Sequence, residues 1–157
     1  MDTNSSLANN KNVNLIYWLP FICFVLHAIE EIPGFAIWVA KHFKEYSTET
    51  FVLQHIPLLW LALATSYFAT TTEKKIWKIL AVAWQIQFGL NSFFHLSTTL
   101  LFDEYSPGLF TAVGINLPLT VYFLYQVIKL NLLSKINLLI AFGIGILAAS
   151  LAIATLF

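Results

Sequence analysis

Charge and cysteine are both scarce in this chain of 157 residues. Only 10% of the residues are charged, arginine is absent, and eight lysines balance eight acidic residues. Such a chain offers no basic surface to a phosphate backbone, so we expect no nucleic-acid partner. The single cysteine, Cys23, excludes a disulfide framework and a CxxC metal site. What remains is apolar, because 59% of the residues are hydrophobic, and this balance predicts a membrane protein.

Long apolar runs are correspondingly abundant. A hydrocarbon core about 30 Å thick is crossed by about 20 residues of helix, and five runs reach that length. They predict an all-α, polytopic membrane bundle of five transmembrane helices, at about 13–40, 51–71, 76–102, 108–130 and 135–157. Because the connections are short, we expect a single domain over residues 13–157, preceded by a disordered polar tail at residues 1–12.

The lysines indicate how the bundle is oriented, because cytoplasmic loops collect positive charge. With the N-terminus inside, only Lys41 and Lys44 lie on the outer side. The cytoplasmic side then carries Lys11, Lys74, Lys75, Lys78, Lys129 and Lys135. This distribution predicts an N-in, C-out protein of the cell membrane, most simply the bacterial inner membrane. The sequence leaves open whether the protein forms a homo-oligomer.

The first predicted helix contains three ionisable residues, His27, Glu30 and Glu31, in the middle of its apolar run. A charged carboxylate near the bilayer centre costs about 2.5–3.5 kcal/mol on insertion scales, so ionisable residues there indicate a functional site. Residues at i, i+3 and i+4 share a helix face, so both glutamates flank His27 and can point at one object. We therefore predict that these three residues are catalytic.

Polar side chains also lie inside the other predicted helices. Gln87, Asn91 and His95 follow one another at helical spacing in the third helix, while His55 lies in the second and Asn116 in the fourth. With a rise of about 1.5 Å per residue, all of these except Gln87 fall at the depth of the first helix's ionisable residues. The sequence therefore predicts one polar cavity that opens toward the outer face. The plainer alternative for a single His, Asn or Gln is a hydrogen bond between helices.

Two Pro-Gly pairs flank this region. Pro33 and Gly34 follow the glutamates and predict a kink that widens the cavity, since a proline frees a carbonyl one turn back. The segment Tyr105-Ser106-Pro107-Gly108 predicts a turn at the outer mouth, for which a hairpin turn is the simpler interpretation and a lid the more specific one. His42 lies in a charged loop and is expected to be exposed to solvent.

Imidazoles and carboxylates in one cavity are the ligand types that bind Zn, Fe or Mn. A divalent ion would also offset the desolvation of two ionised glutamates. We therefore predict a divalent metal cofactor whose ligands are His27, Glu31, His55 and His95. Glu30 would be the general base on a bound water or would support the ligands. The residues predicted to bind and orient substrate are Gln87, Asn91 and Asn116.

Two classes of function fit these residues. The first is a membrane-embedded enzyme, a metal-dependent hydrolase or isomerase acting by acid/base chemistry on a lipid-like or isoprenoid substrate. A metal-free enzyme that transfers protons, as an isomerase does, is a variant of it. The second is a non-enzymatic carrier that binds a proton, a metal ion or another cation.

The sequence His27-Ala28-Ile29-Glu30-Glu31, with Asn91 and His95 later and the turn at residues 105–108, resembles the HXXEE-motif family of small bacterial membrane proteins. That family is defined by its motif and has no established reaction. The resemblance implies that His27, Glu30 and Glu31 are the motif residues and that His95 accompanies them, and it supplies no substrate.

Overall fold

The computed structural model describes residues 15–157, which form six helices and no strand. The all-α prediction is confirmed for these residues, and the predicted tail at residues 1–12 lies outside them. A short 3-10 turn at Leu15–Trp18 precedes the first helix. The helices are α1 (Leu19–Glu31), α2 (Phe35–His42), α3 (Thr48–Thr71), α4 (Lys75–Phe102), α5 (Leu109–Lys129) and α6 (Lys135–Ala154).

Three of the helices, α3, α5 and α6, are long and apolar enough to cross a membrane. A fourth span results if α1 and α2 together make one broken crossing. The longest helix, α4, is not among them because it carries polar side chains such as Gln85, Ser92 and His95, which are buried inside the bundle. The protein is therefore compatible with a membrane, while the five-helix count and the N-in, C-out orientation stay predictions.

The helix α4 lies at the centre of the bundle and packs against α1, α3, α5 and α6. Its contact with α6 is close, since a Cβ atom on Gly145 would lie 2.8 Å from the backbone oxygen of Ala83. A glycine at that point lets the two backbones approach, as small residues do between membrane helices. The central position of α4 explains why its polar residues meet side chains from several other helices.

The predicted helix at 13–40 is broken rather than kinked. The helix α1 ends at Glu31, and α2 begins at Phe35 at an angle of 68° to it. Pro33 has no N–H and its ring crowds the preceding turn, which favours an interruption of the helix, and Gly34 follows it directly. Beyond the break, the apolar face of α2 packs against Phe51 and Leu156.

The chain ends and loops show which helix ends lie together. The side chains of Lys41 and His42 contact Glu104, and the ring of Phe43 contacts Phe157. We call this end of the bundle, which carries residues 43–47, 103–108 and 155–157, the C-terminal end. The two glutamates of the first helix lie toward this end, where α1 stops.

The helix α5 is regular except for a π-helical turn at Ala112–Asn116. A turn of this kind holds one extra residue and is frequent at functional sites. The hydroxyl of Ser92 donates to the backbone oxygen of Ala112 at 2.7 Å. The sequence did not predict this turn, although the predicted helix at 108–130 agrees closely with α5.

Candidate metal centre

Three buried side chains from two helices meet at the point where α1 ends. The Nε2 atoms of His27 and His95 each lie 3.4 Å from Oε1 of Glu31. These ligand atoms all lie within 4.8 Å of one another. We call His27, Glu31 and His95 the His/Glu cluster. Two atoms bound about 2.1 Å from one tetrahedral zinc ion would lie roughly 3.4 Å apart, so the observed spacing fits a shared ion.

The ring of His27 is held in the form that a metal requires. Its Nδ1 lies 2.8 Å from Oγ1 of Thr111, and the Thr111 hydroxyl itself donates to the backbone oxygen of Gly108 at 3.2 Å. Because the hydroxyl has one proton and gives it to Gly108, its oxygen must accept from Nδ1–H of His27. The lone pair of His27 is then on Nε2, which faces Glu31.

The ring of His95 is fully buried and also contacts a hydroxyl group through Nδ1. Its Nδ1 lies 2.9 Å from Oγ of Ser106, in the segment after α4. Its Nε2 has no hydrogen-bond partner among residues 15–157, although it is completely buried. A buried polar atom left unpaired costs about 1–3 kcal/mol, so this nitrogen is suited to a ligand such as a metal ion.

His55 lies beside the cluster and is more exposed than its members. Its Nδ1–H donates to the backbone oxygen of Phe51 at 2.8 Å, which leaves the lone pair on Nε2. That Nε2 is 3.9 Å from Oε2 of Glu31, and 26% of the side chain is exposed. The ring stacks on Phe51 with centroids 3.8 Å apart. All three imidazoles therefore present Nε2 to one carboxylate.

The predicted substrate-binding residues differ in where they lie. The Nδ2–H of Asn91 donates to Nε2 of His27 at 2.8 Å, so Asn91 belongs to the site and holds the lone pair that a bound ion would take. Asn116 is fully buried with no side-chain hydrogen bond among the described residues, and Oε1 of Gln87 is likewise unpartnered there. The structure thus brings Asn91 to the His/Glu cluster by a hydrogen bond, and among residues 15–157 it joins neither Gln87 nor Asn116 to it in that way.

Glu30 is not among the three residues whose ligand atoms meet, and its carboxylate has other partners. Its carboxylate accepts hydrogen bonds from the hydroxyl of Tyr105, from the backbone N–H of Phe110 at 3.0 Å and from that of Thr111 at 2.6 Å. The two N–H groups belong to the first turn of α5, whose cap residue, Gly108, has no side chain. Glu30 therefore satisfies donors that the helix leaves free and ties α5 to α1.

The loop after α4 closes over the cluster. Gly108 has a φ of 101°, and a Cβ atom there would lie 2.7 Å from Cε1 of His95 and 2.8 Å from Cε1 of His27. The same atom would lie 3.0 Å from Cγ of Glu31. We call residues 103–111 the lid segment. The cluster is covered on this side by the segment that was predicted as a turn or a lid.

His42 is not exposed as predicted. It is the last residue of α2, its ring stacks on Phe102 with centroids 4.1 Å apart, and its Nε2 is 3.3 Å from Glu104. The hydrogen bond from Lys41, together with that from His42, holds the pKa of the Glu104 carboxyl below its usual range. The break at Pro33 explains the difference, because it turns α2 back against the end of α4.

Sequence reasoning missed the residues that support the cluster. Ser106 and Thr111 hold the two imidazoles, and Gly108 packs against them. The one available signal was the turn at residues 105–108. Pro107 restricts the backbone there, and Gly108 can adopt the left-handed conformation, so the pair indicates a backbone of fixed shape. The contacts between that turn and His27 join residues that are distant in the sequence, so local spacing could not predict them.

Comparison with known proteins agrees with the motif. The family described as protein of unknown function with HXXEE motif matches residues 18–123, which include the whole cluster and most of α5. The chain is 28% identical over 134 residues to the "Uncharacterized protein YrkK" of Bacillus subtilis (strain 168), covering 81% of this chain and 85% of that protein. No solved structure matches. The chain belongs to the HXXEE-motif family.

Proposed function

We propose that this protein is a membrane-embedded, metal-dependent enzyme that binds a divalent ion through His27, Glu31 and His95. The observation that carries the proposal is the convergence of two Nε2 atoms on one carboxylate oxygen, each at 3.4 Å. Two histidines and one glutamate, with a further position free for water or substrate, are a ligand set of catalytic zinc sites. Bound to such a set, an ion would activate water or polarise a substrate oxygen.

The residues around the cluster have different roles in this proposal. Ser106 and Thr111 orient the imidazoles from behind, as groups next to metal ligands commonly do. His55 lies beside Glu31 with its Nε2 lone pair toward that carboxylate, so it is placed to take a proton or to bind the ion as a fourth ligand. Glu30 is a positioning residue here, because both carboxylate oxygens already accept bonds from the lid segment and α5.

A lipid-like substrate fits the surroundings of the site. Among the neighbours of His55 on α3, Val52, Leu53 and Ile56 expose apolar side chains. The helix that carries them is one of those apolar enough to cross a membrane. A hydrophobic molecule could therefore approach along α3 while its polar group reaches the ion.

A metal carrier is the second candidate, and the covered state of the cluster favours it. Gly108 leaves no space for even a methyl group between the lid segment and the cluster. A site that holds an ion under such a cover would bind and release it without acting on a substrate. Turnover of a hydrophobic ester or isoprenoid by the metal-loaded protein would separate the two functions.

The first test is the metal content of detergent-purified protein, measured by mass spectrometry after purification without chelator. We expect a stoichiometric divalent ion in the wild type and its loss in Glu31→Gln and His95→Ala. His42→Ala is the matched control, because His42 lies at the same end of the bundle and outside the cluster. A metal-free wild type, or equal loss in His42→Ala, would overturn the proposal.

A further inference from the structure

Two pairs of side chains face each other at the His/Glu cluster. On α1 the pair is His27 and Glu31, and on α4 the pair is Asn91 and His95. The members of each pair are four residues apart, so they lie on one face of their helix, one turn from each other. The amide nitrogen of Asn91 lies 2.8 Å from Nε2 of His27. One turn further along both helices, Nε2 of His95 lies 3.4 Å from Oε1 of Glu31. The cluster therefore fills three corners of a four-cornered arrangement, and Asn91 is the fourth.

The distances between these corners fit one ion. Two ligand atoms at right angles, each about 2.1 Å from an octahedral ion, lie about 3.0 Å apart. The observed separations are 2.8 Å between Asn91 and His27 and 3.4 Å between Glu31 and each imidazole. Asn91 is thus as far from His27 as two neighbouring ligands would be. His55 is less well placed, because its Nε2 is 3.9 Å from the other carboxylate oxygen of Glu31.

The hydrogen bond between Asn91 and His27 cannot coexist with a bound ion. An ion takes the lone pair of His27 Nε2, to which the amide donates in this structure. The hydrogens on Nδ2 carry partial positive charge, so a cation repels them. The terminal torsion of asparagine is roughly two-fold, and a turn of about 180° brings Oδ1 to the place of Nδ2 without any movement of α4. The group that occupies the lone pair of His27 can therefore offer an oxygen to the ion.

An asparagine oxygen changes the chemistry of the ligand set. Two imidazole nitrogens and two oxygens, from Glu31 and Asn91, leave two positions of an octahedral ion for water or substrate. Amide and carboxylate oxygens are hard donors that suit Mn²⁺, and two histidines with one carboxylate are a ligand set of Fe²⁺ sites with open positions. Compared with a set that contains a third imidazole, this one favours the harder, octahedral ions over tetrahedral Zn²⁺.

We propose that Asn91 is the fourth protein ligand of the bound ion, through Oδ1, and that it biases the site toward Mn²⁺ or Fe²⁺. The proposal rests on the proposed metal site and adds a ligand and a class of ion to it. In the metal-free protein Asn91 holds His27, and in the metal-bound protein it holds the ion. His55 then stays beside Glu31 as a proton acceptor.

The test is a titration of the detergent-purified, metal-stripped protein with Mn²⁺, in which electron paramagnetic resonance measures the free ion. Asn91→Leu removes both polar atoms of the amide at nearly the same size. Its Mn²⁺ affinity should fall roughly 10- to 100-fold, at least the loss that follows removal of a partner behind a ligand. Its Zn²⁺ affinity, measured by competition with a chelator, should fall less, because zinc is satisfied by four ligands and can take a water instead. Asn91→Asp keeps an oxygen at this place and should bind Mn²⁺ at least as tightly as the wild type.

The direction of the change in Asn91→Leu decides between a ligand and a competitor. If Asn91 only competed with the ion for the lone pair of His27, its removal would tighten binding roughly two- to tenfold, the value of one hydrogen bond. A tighter or an unchanged Mn²⁺ affinity would overturn the proposal, and so would a larger loss in His55→Phe. Ser97→Ala is the matched control, since this exposed side chain lies on the same helix, and it should bind Mn²⁺ as the wild type does.

A second measurement uses the wild type and does not depend on the folding of any variant. Asparagine is labelled with carbon-13 at the side-chain carbonyl, and infrared spectra are recorded before and after Mn²⁺ is added. An ion polarises the carbonyl that binds it, so one labelled band should move to lower frequency. A protein that binds Mn²⁺ without such a shift would overturn the assignment of Asn91. A wild type that binds neither Mn²⁺ nor Zn²⁺ would instead refute the metal site itself.

Discussion

Replacement of Gly108 by alanine tests the close packing of the lid segment on the cluster. The φ of 101° at this position is unfavourable for any residue with a Cβ atom, at a cost of roughly 1–3 kcal/mol. The added methyl group would also lie within 3.0 Å of all three cluster residues. Overpacking of this kind costs about 1–3 kcal/mol more, so we expect a total loss of roughly 2–6 kcal/mol. That is a large fraction of a typical unfolding free energy of about 5–15 kcal/mol.

The same substitution should disturb metal binding. The methyl group would meet Cε1 of both His27 and His95, so the rings must turn or the lid segment must lift. Either movement changes the position of an Nε2 atom relative to Glu31. We therefore expect Gly108→Ala to lower both the melting temperature in detergent and the zinc content, and excess zinc should restore only part of the lost stability.

The matched control is Gly114→Ala, in the helix that Gly108 precedes. Within the part of the chain that the structure describes, nothing lies within 4 Å of a Cβ atom at Gly114, and its φ is not positive. Thermal unfolding and metal content of the two variants are measured side by side. If Gly108→Ala matches Gly114→Ala in both, the lid segment does not press on the cluster and our account of this site is refuted.

Three other predictions concern the groups around the cluster. Thr111→Val removes the acceptor for Nδ1–H of His27 and should weaken zinc binding about 10- to 100-fold in a competition titration, whereas Thr111→Ser should keep most of the affinity. Glu30→Gln replaces one acceptor oxygen by an amide nitrogen, which cannot accept a hydrogen bond from α5. The melting temperature should therefore fall, while more zinc is retained than in Glu31→Gln. Equal zinc loss in both variants would contradict the positioning role of Glu30. The lowered pKa of Glu104 means that its bond to Lys41 stabilises the fold at neutral pH and is lost as the pH falls through that lowered value. The melting temperature of the wild type should therefore exceed that of Glu104→Gln at pH 7 and approach it below about pH 4; a gap that persists in acid would refute the tether.

The helices could be predicted from the sequence because each depends on a local pattern. The predicted boundaries at 76–102 and 135–157 differ from α4 and α6 by a few residues only. The second predicted helix, at 51–71, corresponds to α3 and begins earlier than predicted, since Ser47 caps it by accepting from the N–H of Thr50. The break at Pro33 was predicted only as a kink, because a pattern does not reveal how far a proline turns the chain.

The cluster itself could be predicted in part. His27, Glu31 and His95 were predicted as ligands because ionisable residues are costly in a membrane and because helical rise places them at similar depths. The supporting residues Ser106 and Thr111 are ordinary hydroxyl side chains, and their contacts with the histidines join distant parts of the chain. No periodicity distinguishes such residues from those that bond to their own helix.

The two adjacent glutamates of the motif illustrate how helix geometry assigns different parts to neighbouring residues. Successive residues on a helix point about 100° apart, so one helix end can face two structures at once. Here Glu31 faces the imidazoles, and Glu30 faces the first turn of α5. The carboxylate of Glu30 holds the backbone that brings Thr111 to His27, so the first glutamate of the motif acts on the site through the motif's histidine. If the proposed metal site exists, the motif supplies one ligand, Glu31, and one anchor, Glu30, rather than two catalytic acids.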